Sequence, residues 1–114
     1  CHNVQLRDCV PMEELYRNYY YVTPESSMLT AHYKYLYDYM EVSKYINNES
    51  FVVEVGSNIG SFLSFIKNKA ARVLGIDPAE NICKMAVDRG VDTICDFFSA
   101  ASAREIKKNM VRRI

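Results

Sequence analysis

The feature that most limits the folds open to this chain is the stretch FVVEVGSNIG at 51–60. Its first half is short, apolar and β-branched, which predicts a buried strand. Gly56 allows a sharp turn at the end of that strand and a close approach of the backbone to a ligand, because glycine has no Cβ. Gly60 then opens a helix that packs against the strand. The pattern predicts a glycine loop at the carboxyl end of the first strand of a parallel sheet.

A second apolar run, 72–76, ends in Asp77 about 20 residues after the glycine loop. An Asp at this offset, at the tip of the second strand, can accept hydrogen bonds from both hydroxyls of a ribose. Its alternative role is to cap the helix that starts at Pro78 or Ala79. A dinucleotide site would carry one more glycine, whereas this loop has the acid Glu54 before it. The pattern E-x-G-x-x-x-G with a later Asp resembles the S-adenosylmethionine site of class I methyltransferases.

The rest of the chain fits an α/β architecture. Periodicity and turn residues predict strands at 51–55, 72–76 and 92–95, and helices at about 12–19, 23–46, 60–68, 79–88 and 101–112. Residues 1–10 are predicted to be extended. Right-handed crossovers place the three parallel strands in the order 3-2-1, which is half of a doubly wound sheet. We therefore expect a partial Rossmann-like sheet preceded by a helical N-terminal segment.

Residues at the strand ends are the candidate ligands of a cofactor. The loop amides can bind the methionine carboxylate, and Ser57 and Asn58 can add side-chain hydrogen bonds, although both are also common turn and N-cap residues. Asp96 and Phe97 end the third strand, where class I methyltransferases place an acid against the adenine amino group and an apolar ring over the base. A capping Asp and a core Phe are the alternative there. The candidate cofactor-binding residues are Glu54, Gly56, Ser57, Asn58, Gly60, Asp77, Pro78, Asp96 and Phe97.

Nine tyrosines lie between residues 16 and 45. Most are expected to cover helix surfaces or an interface, because a tyrosine ring has an apolar body and a polar tip. One or two, with Tyr20 and Tyr21 as the candidates, could line a substrate cleft. No catalytic base is identified, since His32 fits a half-buried helix position better. Cys1 and Cys9 are too few for a zinc site, so no metal site is predicted, although Cys1 could be the last ligand of a zinc ribbon that was cut away.

Composition limits the partners and the location. The formal net charge is zero, which gives no support for nucleic acid or an anionic membrane as a partner. No apolar run approaches the ~18 residues of a transmembrane helix. Cys83 and Cys95 fall in a predicted helix and strand, where a reduced buried thiol is usual, so a cytoplasmic location is the simplest inference. One edge of the first strand should lie open, and we expect a homodimer through this edge or through the helices beside it.

Several segments together resemble one family more closely than the general methyltransferase pattern. They are residues 1–6, 11–16, 54–58, 75–81 and 95–98. Through them the chain is similar, over nearly all of its length, to the sugar C-methyltransferases that carry an N-terminal zinc-binding segment. This resemblance implies S-adenosylmethionine as cofactor and a nucleotide-linked keto-deoxysugar as the small-molecule substrate, methylated at carbon after a base removes a proton next to the keto group. The family usually has Asp where Ile59 stands.

The resemblance also implies how the chain is organised. Residues 1–48 would be an N-terminal extended and helical segment, and residues 49–114 the first half of the S-adenosylmethionine-binding domain. The family's Glu-His catalytic segment lies in a later half that this chain lacks, so we expect a fragment that is inactive alone. Two alternatives stay open. One is a non-catalytic or truncated methyltransferase-like dimer that binds no cofactor; the other is an O- or N-methyltransferase of small molecules.

Overall fold

A computed structural model describes residues 2–111. In chain order its elements are α1 (Met12–Tyr16), α2 (Ser27–Val42), β1 (Phe51–Val55), α3 (Ser61–Ile66), β2 (Arg72–Asp77), α4 (Glu80–Asp88), β3 (Thr93–Cys95) and α5 (Ala100–Val111). The strands form one parallel sheet in the order β1-β2-β3. This is the predicted order read from the opposite edge, and the predicted α/β fold is confirmed. Cys1 and residue 112, the predicted end of the last helix, lie outside the described residues.

The core forms where α2 and α3 pack on one face of the sheet. Leu63 and Ile66 of α3 are fully buried beside Tyr37 of α2, and Val52 and Val73 of the sheet pack against them. One face of α2 carries side chains that lie partly buried at helical spacing. They are Leu29, Tyr33, Leu36 and Met40. This packing fixes β1 and β2, and with them the loop that follows β1.

Both N-terminal helices are shorter than the sequence predicted. The hydroxyl of Ser26 accepts a hydrogen bond from the N–H of Leu29 at 3.1 Å, so α2 begins after Ser26 and not at Thr23. Just after the end of the same helix, Lys44 has a left-handed conformation with φ of 60°. The prediction that α1 reaches Tyr19 was wrong, because the helix ends at Tyr16. Residues 17–26, between the two helices, therefore belong to no helix or strand.

The first strand is paired on one side only among the described residues. β1 bonds to β2 along its length, and Val53 and Val55 are 37% and 55% exposed.

None of the helices in the described part of the chain is long and apolar enough to cross a membrane. Cys9, Cys83 and Cys95 carry free thiols. Cys83 is buried as predicted, but the prediction of a buried thiol was wrong for Cys95, which is exposed at the end of the edge strand β3.

Candidate functional site

A cleft of about 540 Å³ opens at the carboxyl ends of the three strands. Parallel α/β sheets bind their ligands at this edge. Six of the residues predicted from the sequence line it: Gly56, Asn58, Asp77, Pro78, Asp96 and Phe97. They come from the loops after β1, β2 and β3, so the sheet topology is what brings them together. Glu54, Ser57 and Gly60 do not line the cleft.

Asp77 is the buried acid of the cleft. It ends β2 and is 7% exposed. Its Oδ2 accepts a hydrogen bond from the N–H of Asn58 at 2.9 Å, and its Oδ1 accepts one from the N–H of Ala79 at 3.0 Å. The second bond is the capping role that the sequence allowed. Because each carboxylate oxygen can accept about two hydrogen bonds, the carboxylate is held in place and still has capacity for a ligand.

The loop after β1 is held in shape by its own hydrogen bonds. The N–H groups of Gly56 and Ser57 donate to the carbonyl of Ile76 at 2.8 and 3.2 Å, and that of Gly60 donates to the carbonyl of Ser57 at 2.9 Å. With the N–H of Asn58 bonded to Asp77, these four amides already have partners inside the protein. The loop is therefore preformed. It offers the cleft a fixed shape, and these four amides are not free.

Gly56 is the place where the loop leaves room for a ligand. Its φ is +70°, a left-handed conformation that favours glycine. A β-carbon built on it would meet no atom within 4 Å. Gly60 has a similar φ of +69°, but a β-carbon there would lie 2.9 Å from Cγ1 of Val91. Gly56 thus faces the cleft, whereas Gly60 allows α3 to begin in close contact with the core.

Buried oxygens lie at two of the three predicted residues outside the lining, Glu54 and Ser57, and at Ser61, which follows the third, Gly60. The Oε2 atom of Glu54 and the hydroxyls of Ser57 and Ser61 have no hydrogen-bond partner among the described residues. Burial raises the pKa of the Glu54 carboxyl to about 7. Burial, and then the Glu54 carboxylate, also raise the pKa of the Tyr33 phenol. Glu54 therefore faces the α2 side of the sheet, and its binding role stays a prediction.

The outer wall of the cleft comes from residues that the sequence did not assign to it. Met12, Tyr16, Tyr19 and Thr23 line the cleft together with Tyr21. The ring centroids of Tyr16 and Tyr19 are 5.7 Å apart, and those of Tyr19 and Tyr21 are 6.5 Å apart. The clustering of tyrosines at 16–21 was the signal that could have found this wall. The strand-end residues Val55 and Ile76, and Phe98 beside Phe97, are further lining residues that the sequence did not assign.

Of the two tyrosines proposed for a substrate cleft, only one lies in it. Tyr21 lines the cleft, whereas Tyr20 is 94% exposed and is absent from the lining. Residues 19–25 belong to no helix or strand, and along this irregular segment Tyr19 and Tyr21 line the cleft while Tyr20, between them, is exposed.

Tyr19, Tyr20 and Tyr21 belong to an irregular segment, residues 17–25, which we call the strap. At one end the carbonyl of Arg17 accepts a hydrogen bond from the N–H of Glu80 at 3.1 Å, and the two side chains lie 3.6 Å apart as an ion pair. At the other end Glu25 pairs with Arg89. Between them, the side chains of Asn58 and Asn81 bond to the strap backbone. The strap is thus fixed across the start and end of α4 and over the loop.

The sequence of the chain is similar to that of a known methyltransferase. No protein-family model matches the chain. Over 106 residues it is 34% identical to the C-methyltransferase NovU of Streptomyces niveus. The chain is related to a C-methyltransferase. The matched region covers 93% of this chain and 25% of that relative, so the chain spans about a quarter of the relative's length. The resemblance to C-methyltransferases inferred from the sequence is confirmed.

Proposed function

We propose that the cleft binds S-adenosylmethionine and that this chain is the cofactor-binding part of a methyltransferase. One observation carries the proposal. The carboxylate of Asp77 is fixed at the end of β2 and lines the cleft, beside a glycine whose missing side chain leaves open space. This is how nucleoside-type sites of parallel sheets bind a ribose. The relationship to a C-methyltransferase supports the same class of reaction.

The residues present fit the parts of that cofactor. Asp77 would bind the ribose hydroxyls, and Gly56 would let the ligand approach the backbone. Asp96 and Phe97, which line the same cleft, would contact the adenine, and Pro78 would add an apolar contact. Bound S-adenosylmethionine would supply an electrophilic methyl group. Positioning is the contribution that these side chains would make to its transfer.

We further propose that the intact protein methylates a carbon of a nucleotide-linked keto-deoxysugar, with residues 49–114 as the first half of its cofactor domain and residues 1–48 as the segment that walls the cleft. Tyr21 is the candidate for contact with the acceptor. The lining in the described part of the chain contains no His, Lys or Glu, and its two carboxylates, Asp77 and Asp96, are already assigned to the cofactor, so no common base is left for the acceptor. We therefore expect this chain to bind cofactor without turnover.

Calorimetric titration with two ligands tests the cofactor proposal without changing the protein. We expect S-adenosylhomocysteine to bind, and its 2′,3′-dideoxyribose analogue to bind about tenfold or more weakly, because the analogue leaves a buried carboxylate without its ribose partners. Equal affinities would contradict the ribose role of Asp77. No binding of either ligand by the folded chain would favour a methyltransferase-like protein that binds no cofactor.

We also propose that the chain forms a homodimer through the open side of β1. Val53 and Val55 are apolar and partly exposed at this edge strand, and such edges favour pairing with another chain. Light scattering during size-exclusion chromatography should give the mass of a dimer. Val55→Lys should shift it to a monomer, because charged side chains on edge strands oppose pairing. A monomeric natural chain would refute this proposal.

A further inference from the structure

Two asparagines of the sheet unit bind the strap in the same way. Oδ1 of Asn81 accepts a hydrogen bond from the N–H of Tyr19 at 3.2 Å, and its Nδ2 donates to the carbonyl of Tyr19 at 2.8 Å. Oδ1 of Asn58 accepts from the N–H of Thr23 at 2.8 Å, and its Nδ2 donates to the carbonyl of Tyr21 at 2.9 Å. Each side-chain amide therefore satisfies one backbone donor and one backbone acceptor of the strap.

These bonds replace the partners that backbone N–H and C=O groups normally find in a helix or a sheet. Residues 17–26 have no helix or strand of their own, and backbone N–H and C=O groups need partners. A side-chain amide carries one acceptor and two donors, the same kinds of group as a peptide unit. The backbone at Tyr19, Tyr21 and Thr23 is thus bound at intervals along the strap, while the tyrosine rings remain available to the cleft.

Asn58 also connects the strap to the acid of the cleft. Its backbone N–H donates to Oδ2 of Asp77, while its side chain bonds to the strap. Its φ of 49° is left-handed, a conformation that Asn adopts more readily than most residues. A shift of Asp77 on ligand binding would therefore move Asn58, which bonds to both the carboxylate and the strap.

We propose that Asn58 and Asn81 are positioning residues that hold the strap as the wall of the cleft, so that strap order and ligand binding are coupled. The holding role stands on the hydrogen bonds alone. The coupling rests on the proposed function, because it needs a nucleoside ligand at Asp77. Loss of either asparagine should loosen the wall and weaken binding of S-adenosylhomocysteine, although neither side chain needs to touch the ligand for this effect.

A substitution of Asn81 can distinguish a role in positioning the strap from a role in stabilising α4. It is exposed on the first turn of α4, where Ala has a higher helix propensity than Asn. A merely structural role in the helix therefore predicts that Asn81→Ala is neutral or slightly stabilising. The positioning role predicts an unchanged Tm with a looser strap. Asn109, exposed on α5 and away from the strap, provides the matched control Asn109→Ala.

Amide hydrogen exchange, followed by NMR on the full chain, measures the strap directly. In Asn81→Ala we expect the N–H of Tyr19 to exchange on the order of tenfold faster, because an unprotected amide opens with little cost. Amides of α3 and α4 should keep their rates. Asn109→Ala should leave Tyr19 unchanged. Unchanged exchange at Tyr19 in Asn81→Ala would overturn the holding role.

Asn81→Asp adds a pH signature that a structural role would not give. Below its pKa the Asp side chain is protonated and keeps a donor and an acceptor, so Tyr19 should exchange as in the natural chain at the same pH. Above it the carboxylate can still accept a hydrogen bond from the N–H of Tyr19, but it faces the carbonyl of Tyr19 without a donor, and this repulsion should loosen the strap and speed up exchange. A constant ratio of variant to natural rates across pH 3.5 to 7, spanning roughly the ordinary pKa of Asp, would contradict the proposal.

Calorimetry with S-adenosylhomocysteine then tests the coupling. We expect Asn81→Ala to weaken binding about fivefold or more, and the ligand to slow exchange at Tyr19 and Thr23 in the natural chain. Equal affinity for both chains, with a loosened strap, would overturn the coupling and leave the holding role in place. If the natural chain does not bind the ligand, the proposed function and the coupling both fail, whereas the exchange results still decide the holding role.

Discussion

Oγ of Ser57 lies 2.5 Å from the point where a β-carbon on Gly75 would stand. Ser57 follows β1 and Gly75 lies in the middle of β2, so the turn folds back over the central strand only because that strand has a glycine there. Gly75→Ala should lower the free energy of unfolding by about 1–3 kcal/mol, as overpacking of a core does. Denaturant unfolding measures this change.

A second substitution identifies Ser57 as the cause. Ser57→Ala removes a buried hydroxyl without a hydrogen-bond partner, so by itself it should be neutral or stabilising. Combined with Gly75→Ala it should recover part of the loss, because the next nearest atoms are at 3.1 Å, Cβ of Ser57 and Oγ1 of Thr93. Strictly additive effects in the double-mutant cycle would show that the two sites do not interact.

The two left-handed glycines of the loop should respond differently to Ala. Both substitutions carry a left-handed penalty of about 1–2 kcal/mol. Gly60→Ala also places a methyl group 2.9 Å from Val91, so its loss of stability should be the larger. Gly56→Ala places the methyl group in the cleft, so its main effect should be weaker binding of S-adenosylhomocysteine.

Unfolding and calorimetry on the same two variants check this pair. Affinity that falls equally in both variants, corrected for the folded fraction, would favour a direct binding role for Gly60. A Gly56→Ala chain with normal affinity would show that the ligand does not approach this glycine.

Glu54 should make stability depend on pH. Burial raises the pKa of its carboxyl from 4.5 to about 7 in the folded state. The folded chain therefore holds more protons than the unfolded chain between these values, and the free energy of unfolding should fall as the pH rises through that window. Denaturant unfolding between pH 5 and 8 should show the decline in the natural chain, over roughly the range set by these pKa values.

Glu54→Gln should flatten this dependence, because an amide does not titrate. Glu49→Gln, at an exposed position, is the matched control and should leave the decline unchanged. A decline that persists in Glu54→Gln would assign it to another group.

Asp77→Ala should weaken binding of S-adenosylhomocysteine about tenfold or more, because the ribose would lose a charged acceptor. The same change removes the acceptors of the Asn58 and Ala79 amides, so stability must be measured as well. Asp88→Ala, which removes an exposed carboxylate at the end of α4, is the control. Unchanged affinity in a folded Asp77→Ala chain would remove the ribose assignment.

The sheet and the position of Asp77 could be predicted from local sequence, whereas the wall that the strap forms could not. Each strand is a short apolar run, and Asp77 and Gly56 stand at strand ends, so pattern and position were sufficient. The strap depends on Asn58 and Asn81, which are 35 and 62 residues from the backbone groups that they bind. No local pattern carries contacts at such separations, and helix propensity alone extended α1 and α2 into this segment.

Side-chain direction was the second limit. Ser57 was predicted to face a ligand, but its hydroxyl lies in the space above Gly75, a residue on the neighbouring strand. Gly60 was predicted, from its spacing, to share a binding role with Gly56. A β-carbon on Gly60 would instead meet Val91, so this glycine faces the core. In each case the deciding neighbour is brought near by the parallel pairing of strands and their crossover helices, which residue spacing cannot show.

The strap also sets an order of folding. The bonds between Tyr19 and Asn81 close a loop of 62 residues, and contacts of such separation form after local ones because loop closure costs entropy. On a ribosome the strap emerges well before Asn81 has been synthesised, so the cleft gains its wall only after α4 has formed. In the finished protein most of the same contacts are exposed, so we expect the wall to open before the sheet when the chain is heated.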